Sequence, residues 1–326
     1  MKYRKFGRTG WNVSEVSLGT WQVGGRWGSG FDNTIAESIL NEAVDQGINF
    51  IDTADVYENR QSEAAVARVV KARSEQIYVA TKCGRFLSPH ISQSYTPKAL
   101  TEFVEASLKN TGFETLDLIQ MHCPPIEVYY RPEIFGAFER MKEQGKIQHL
   151  GVSVETVEEG LKALEFPNVE SIQIIFNIFR QRPAELFFKR IEELNKAVLV
   201  RVPLASGLLS GKFTAKSTFD PKDHRNFNRD GKAFDKGETF SGVPWKLGLE
   251  AVSRLKKFLP TPMAEAALRW ILAFDQVSTI IPGASRPSQV VANAKASDVG
   301  PLPKETMQQV REVYEELIKG VVHQLW

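Results

Sequence analysis

Four side chains in this sequence of 326 residues have the types that a proton-coupled hydride transfer needs, and they recur at one kind of place. Asp52 and Tyr57 lie in Asn49-Phe50-Ile51-Asp52-Thr53-Ala54-Asp55-Val56-Tyr57. Lys82 ends Ile77-Tyr78-Val79-Ala80-Thr81-Lys82, and His122 ends Leu116-Asp117-Leu118-Ile119-Gln120-Met121-His122. A tyrosine with an ordinary pKa of about 10 is a poor acid at neutral pH. A nearby ammonium lowers that pKa, a carboxylate orients the ammonium, and a histidine can position a carbonyl oxygen. Singly, each residue has a structural use: Asp52 as a turn cap, Lys82 as a solvated strand end, Tyr57 as a half-buried aromatic, His122 as a hydrogen-bonded core histidine. All four on three consecutive strand ends make coincidence a poor account.

Polar groups at successive strand ends converge only if the strands are parallel and close into a ring, which is the (β/α)8 (TIM) barrel with its chemistry at the C-terminal face. The rest of the chain follows that rhythm. A turn at Gly7-Arg8-Thr9-Gly10 predicts an N-terminal hairpin that could close the barrel bottom. Strands are expected at 16–20, 49–51, 77–81, 116–121, 147–152, 171–175, 197–202 and 277–281. Helices with apolar stripes at helical spacing fall between them. Thr96-Pro97 reads as an N-cap followed by proline at the first helical position, and Gly112 as the stop of that helix. Residues 213–245, polar with aromatic patches, read as one long loop after the seventh strand, and such loops are usually functional or disordered. A final helix at about 304–319 has no strand left to serve and is expected outside the barrel. No composition break divides 1–326, so a single domain is expected.

Bulk properties narrow the function. The net charge is +2, and 25% of residues are charged, so no large field points to a nucleic-acid partner. There is no run of about eighteen apolar residues and no apolar core behind Met1-Lys2-Tyr3-Arg4, so neither a membrane span nor a leader is expected. The two cysteines, Cys83 and Cys123, are expected to be reduced packing thiols in a cytoplasmic protein. The five histidines are scattered and there is no Cys-x-x-Cys, so no metal site is expected. No Gly-x-Gly-x-x-Gly follows the first strand, which argues against a Rossmann domain.

The order of motifs resembles the aldo-keto reductase superfamily, in the style of its bacterial and plant branches with a long seventh loop. The resemblance runs through essentially the whole chain. It rests on Leu18-Gly19-Thr20-Trp21, Asp52-Thr53-Ala54-Asp55-Val56-Tyr57 with Ser62-Glu63, Thr81-Lys82, Met121-His122-Cys123-Pro124, Gly151-Val152-Ser153, Pro203-Leu204-Ala205-Ser206-Gly207-Leu208-Leu209-Ser210-Gly211-Lys212 and Ile281-Pro282-Gly283-Ala284. It implies an NADPH-dependent oxidoreductase that reduces an aldehyde or ketone, with Tyr57 as proton donor and Lys82, Asp52 and His122 beside it. A histidine at position 122, rather than the glutamate of relatives that reduce carbon–carbon double bonds, fits carbonyl chemistry. A second class is implied too: an NADP(H)-sensing regulatory subunit like the potassium-channel β-subunits of the superfamily, which keep the same four residues.

For the cofactor, the resemblance assigns Ser153 and Gln173 to the nicotinamide carboxamide and Arg201 to the place of the usual stacking tyrosine. Here Val154 stands where an asparagine usually follows the serine. The glycine-rich segment with Pro203, Leu204, Ser206, Gly207, Leu209, Gly211 and Lys212 could take the pyrophosphate. After the last strand, Gly283, Ser285 and Arg286 precede a helix, where Ser285 and Arg286 could bind a 2′-phosphate. Gln289 and Asn293 match family positions facing that phosphate and the adenine. Gly19, Thr20, Trp21 and Asp52 complete the expected cofactor set, with NADPH/NADP+ favoured over NADH. Trp21, Trp27, Phe86 and Trp245, with Tyr57 and His122, are expected to wall a small-molecule carbonyl site. Arg26, Arg85 and Arg131 could greet an anionic group or face water. Glu58-Asn59-Arg60 stand where the family often has glycines.

Overall fold

The structure, a computed structural model, describes residues 1–25 and 30–326. Strands β1 (Tyr3–Lys5) and β2 (Asn12–Ser14) form the antiparallel N-terminal hairpin. Its apolar residues Phe6, Trp11 and Val13 pack against Phe50, Ala80, Leu118 and Leu199 and so plug the bottom of the barrel.

Eight parallel strands follow: β3 (Leu18–Gly19), β4 (Phe50–Asp52), β5 (Tyr78–Cys83), β6 (Leu116–His122), β7 (Ile147–Ser153), β8 (Val169–Ile175), β9 (Ala197–Arg201) and β10 (Thr279–Ile280). Each pairs with its sequence neighbour. Single bridges from Val16 to Ile280 and from Gly19 to Gly283 bring the first and last strands together, so the ring is nearly closed. The expected (β/α)8 architecture is therefore the observed one. The first and last strands are shorter than the sequence predicts because the closure is made by isolated bridges rather than by a continuous ladder.

Between the strands lie α1 (Asn33–Asp45), α2 (Gln61–Ala72), α3 (Pro97–Thr111), α4 (Pro132–Glu143), α5 (Val157–Ala163) and α6 (Leu186–Leu194). The α3 punctuation is as expected. Thr96 Oγ1 accepts from the Ala99 N–H, Pro97 opens the helix, and Gly112 ends it in a left-handed conformation. The long loop after β9 is more ordered than its composition predicts. It contains a short helix, α7 (His224–Phe227), and is followed by α8 (Trp245–Leu255), which the sequence reading leaves out. Buried Gly248 in its second turn meets Leu208, so close packing there holds a residue that local propensity disfavours in a helix. Helix α9 (Met263–Leu272) precedes β10, α10 (Pro287–Val299) follows it, and α11 (Lys304–Val313) packs outside the barrel against α8. Among the described residues, no helix is long and apolar enough to cross a membrane. Cys83 and Cys123 are both buried free thiols.

Candidate active site

The upper barrel interior holds a polar network where apolar residues would otherwise fill the ring. Asp52 ends β4 and is 2% exposed. Its Oδ1 accepts from Gln120 Nε2 at 3.0 Å and from Gln173 Nε2 at 2.7 Å, and its Oδ2 accepts from Lys82 Nζ at 2.5 Å. Lys82, fully buried, has three donors, and the other two go to the Thr53 carbonyl at 2.8 Å and the Tyr57 hydroxyl oxygen at 3.3 Å. Burial opposes the charge of Lys82, but Asp52 and Tyr57 outweigh it and hold its pKa above the ordinary value. The ion pair is therefore fully satisfied, the condition under which a buried pair persists.

Tyr57 reaches the cleft from this network and His122 lines the cleft beside it, with ring centres 6.1 Å apart and nearly perpendicular planes. Burial raises the Tyr57 pKa above 10, Lys82 pulls it back, and Asp52 adds to the rise. Burial thus outweighs the acidifying effect of the ammonium. His122 is held well below its usual pKa, first by burial and then by the positive charges of Lys82, Arg85 and Arg201. It is a neutral imidazole at physiological pH. Its Nδ1 has no hydrogen-bond partner among the described residues.

The turn that delivers Tyr57 lacks glycine yet keeps left-handed backbone. Glu58, Asn59 and Arg60 have φ of 45°, 49° and 71°. Such conformations are unfavourable for side-chain-bearing residues. Asn110 holds the turn, donating to the Arg60 carbonyl at 3.1 Å and to Glu63 at 2.9 Å.

A cleft of about 460 Å³ opens above these residues, within the range of small-molecule sites. Of the expected cofactor positions, it is lined by Gly19, Thr20, Trp21, Asp52, Gln173, Arg201, Pro203, Leu204, Ser206, Gly207, Lys212, Gly283, Arg286 and Gln289. Ser153, Leu209, Gly211, Ser285 and Asn293 lie outside that lining. Ser153 stands behind the wall, donating to Gln173 Oε1 at 3.4 Å. Ser285 is tied to Gln289, whose Oε1 accepts from its N–H and its hydroxyl. Leu209 is buried in the core, and Gly211 packs close to Lys256 and Met263.

The glycine-rich segment differs from expectation in one respect. The N–H groups of Gly207 and Leu209 both bond the Leu204 carbonyl, and that of Gly211 bonds the Leu208 carbonyl, so these donors are used within the turn. What this end offers the cleft is charge from Lys212 and Arg225, with Arg286 farther along at the N-cap of α10.

Of the expected substrate walls, Trp21 lies along the Tyr57 ring at 6.2 Å, inclined by 22°. Phe86 is 43% exposed and outside the cleft. Trp245 is also outside it, packed with Phe213, Phe219 and Phe240 under the long loop. Trp27, like Arg26, lies outside the described residues. Arg131 is spent on structure, donating to the carbonyls of Ser92 and Tyr95.

Arg201 lines the cleft but is ion-paired, with Nη2 2.7 Å from Glu155 Oε2 and Nη1 3.6 Å from Glu238 Oε2. Gln120, Glu155 and Glu238 escape the sequence reading. Gln120 leaves a trace there, as an amide inside an otherwise apolar strand; Glu238 leaves none, since it enters from the long loop.

The chain was compared with known proteins. The family model described as "Aldo/keto reductase family" matches residues 15–315. The Aldo-keto reductase YhdN of Bacillus subtilis (strain 168) is 30% identical over 303 residues, covering 90% of this chain and 87% of that protein. The NADH-specific methylglyoxal reductase of Escherichia coli (strain K12) is 27% identical over 321 residues, covering 92% and 94%. The holo form of aldo-keto reductase AKR11C1 from Bacillus halodurans superposes with a TM-score of 0.76 at 30% identity, covering 96% of each chain.

Proposed function

The chain belongs to the aldo/keto reductase family, oxidoreductases that act on carbonyl compounds with a nicotinamide cofactor, and on that premise we propose that it reduces an aldehyde or ketone to an alcohol with NADPH, Tyr57 giving the proton. The observation that carries the reading is the run of contacts from Asp52 through Lys82 to the Tyr57 oxygen, at the cleft wall beside His122. An ammonium has no acceptor, so the Tyr57 oxygen accepts from Lys82 and keeps its own hydrogen for the cleft.

In the reaction, Tyr57 protonates the carbonyl oxygen as negative charge develops there. Lys82 steadies the phenolate that remains, and Asp52 fixes Lys82 in place. His122, being neutral, donates a hydrogen bond to the same oxygen and orients the carbonyl. The nicotinamide, when bound, supplies the hydride to the carbonyl carbon. Alcohol oxidation is the reverse of these steps in the same site.

The cleft fits a two-ended anionic cofactor, with the Tyr57 network at one end and Lys212, Arg225 and Arg286 toward the other. Gln173, backed by Ser153, would face the carboxamide and Arg201 would face the ring. Lys212 and the Ser206 segment would take the pyrophosphate. Arg286 and Gln289 would take the 2′-phosphate and adenine, with Ser285 holding Gln289 in place and Asn293 one turn farther along the same helix. Arg286 is exposed at the first turn of α10, where an anion is favoured, and this supports NADPH over NADH. We place the protein in the cytoplasm and read residues 1–326 as one domain.

The test is a panel of aldehydes and ketones, followed by loss of NADPH absorbance. Turnover on the panel supports the enzyme. Tight NADPH binding with no turnover on any member would instead favour the nucleotide-sensing subunit.

A further inference from the structure

Beside His122 the cleft wall has a charged corner that the proton-donating network does not use: Arg201 and Glu238 line the cleft, and Arg85, outside the lining, meets this cluster through Glu238. Arg201 ends β9, and Arg85 stands three residues beyond Lys82 on the loop after β5. Both guanidiniums are close enough to depress the His122 pKa. Arg201 donates to the Val154 carbonyl at 3.0 Å and to Glu155, while its buried Nε has no acceptor among the described residues.

Glu238, carried in by the long loop, puts its carboxyl between the two cations. It is 3.6 Å from Arg201 and 3.9 Å from Arg85. Those separations exceed the 2.7–2.9 Å of a charge-assisted hydrogen bond. Glu238 therefore fills the corner without the paired contacts that two guanidiniums can make. Burial first, and then the adjacent Glu155, push the Glu238 carboxyl up to about 8. The neighbouring Glu155 and Glu238 carboxyls thus favour sharing one proton, which leaves the two guanidiniums short of full pairing.

Cys123, Glu155 and Glu238 also bring their ligand atoms within 4.8 Å of one another, as a metal site would. Arg201 and Arg85 stand against the same carboxylates, and burial keeps the Cys123 thiol protonated, so a cation is disfavoured there. The charge balance calls for an anion.

We propose that this corner selects a carbonyl substrate that also carries a carboxylate, a short-chain oxo acid, whose carboxylate takes the place of Glu238 between Arg85 and Arg201 while its carbonyl reaches Tyr57 and His122. The inference rests on the carbonyl-reduction reading above and names the substrate class of that site. Glu238 is anchored through its own carbonyl, which accepts from Ser206 Oγ at 3.0 Å. Its side chain can thus swing away while the loop stays attached.

The test compares kcat/KM for 4-oxobutanoate and for butanal, its uncharged analogue of equal chain length, with NADPH and with NADH. The wild type is expected to favour the acid by roughly ten-fold or more, the worth of a charge-assisted hydrogen bond. Arg85→Met should lower the acid-to-aldehyde ratio by a similar factor. Glu238→Gln adds a pH readout that leaves Glu155, Arg201, Arg85, Cys123 and Tyr57, the titratable groups around position 238, in place. At pH 9 the wild-type Glu238 is ionised and competes with the substrate, so the variant should show a ratio several-fold above wild type. Butanal reduced as well as 4-oxobutanoate, or a ratio indifferent to Arg85→Met, would overturn the proposal and leave carbonyl reduction standing. Reduction of no carbonyl at all, across the wider panel, would remove both.

Discussion

Lys82 Nζ lies 3.3 Å from the hydroxyl oxygen of Tyr57 and 4.9 Å from the centre of its ring, so a single buried ammonium touches both the polar and the aromatic part of that side chain. The contact stabilises the phenolate more than the phenol, while burial acts in the opposite direction.

Tyr57→Phe keeps the ring and the Lys82 contact with its face but removes the proton. NADPH binding, followed by cofactor fluorescence, should persist, while carbonyl reduction falls by a hundred-fold or more, the usual worth of a general acid. Near-normal turnover would remove Tyr57 from its role. Because burial sets the Tyr57 pKa above 10, the phenol stays protonated through the neutral range. With an uncharged carbonyl such as butanal the reduction rate should hold through the neutral range and fall only on the alkaline side.

Arg286→Ala should weaken NADPH far more than NADH, since only NADPH carries the 2′-phosphate. One lost charge-assisted hydrogen bond corresponds to about 1.5–3 kcal/mol, or roughly ten- to hundred-fold in Kd. Titration of the variant with both cofactors decides it, and equal losses would mean that Arg286 does not read the phosphate.

Residues 213–245 should close over the cofactor phosphates. The segment is already tethered at Ser206, whose hydroxyl donates to the Glu238 carbonyl and accepts from the Phe240 N–H. It also brings His224 and Arg225 to the cleft. Limited proteolysis with and without saturating NADPH measures this: cleavage within 213–245 should slow markedly with cofactor. Cleavage at the same rate would leave the segment as a surface excursion.

Asp55 supplies a prediction about stability. It is fully buried, neither oxygen makes a well-aligned hydrogen bond, and burial raises its pKa to about 7. The folded state therefore binds the proton more tightly than the unfolded chain. Stability contributed by protonated Asp55 is full below pH 4 and declines between about 4 and 7, by up to about 4 kcal/mol. Asp55→Asn, which cannot ionise, should raise Tm at pH 8 relative to wild type and change it little at pH 4.5. An equal shift at both pH values would contradict the assignment.

The strand ends were legible because period and punctuation expose them. Asp52, Lys82 and His122 each close an apolar run, and the eight-fold alternation of strands and helices stands in the apolar spacing. Lys82 as a partner of Asp52 is legible in the sequence; its two amide partners are not. Gln120 and Gln173 meet it across the barrel from 68 and 121 residues away, a relation set by ring closure and not by local pattern. The same holds for Glu238. Its loop composition reads as polar surface, and only the route of the chain over the barrel brings it to Arg201. For Arg201 the sequence allows either a group stacked on the cofactor ring or a salt-bridged strand end, and its two carboxylate neighbours, which decide for the ion pair, are not legible there.

Asp52 joins four of the eight strands through one carboxylate: its own β4, β5 through Lys82, β6 through Gln120 and β8 through Gln173. It acts as the hub of a wheel whose spokes are hydrogen bonds, and one spoke leads through Lys82 to Tyr57. A change in the upper rim that shifts β5, β6 or β8 against β4 should alter the pull on Lys82 and so the acidity of Tyr57. Core substitutions far from the cleft should then appear first as a displaced pH–rate profile, before any loss of fold. The titration of one tyrosine would then serve as a strain gauge for the strands that Asp52 joins.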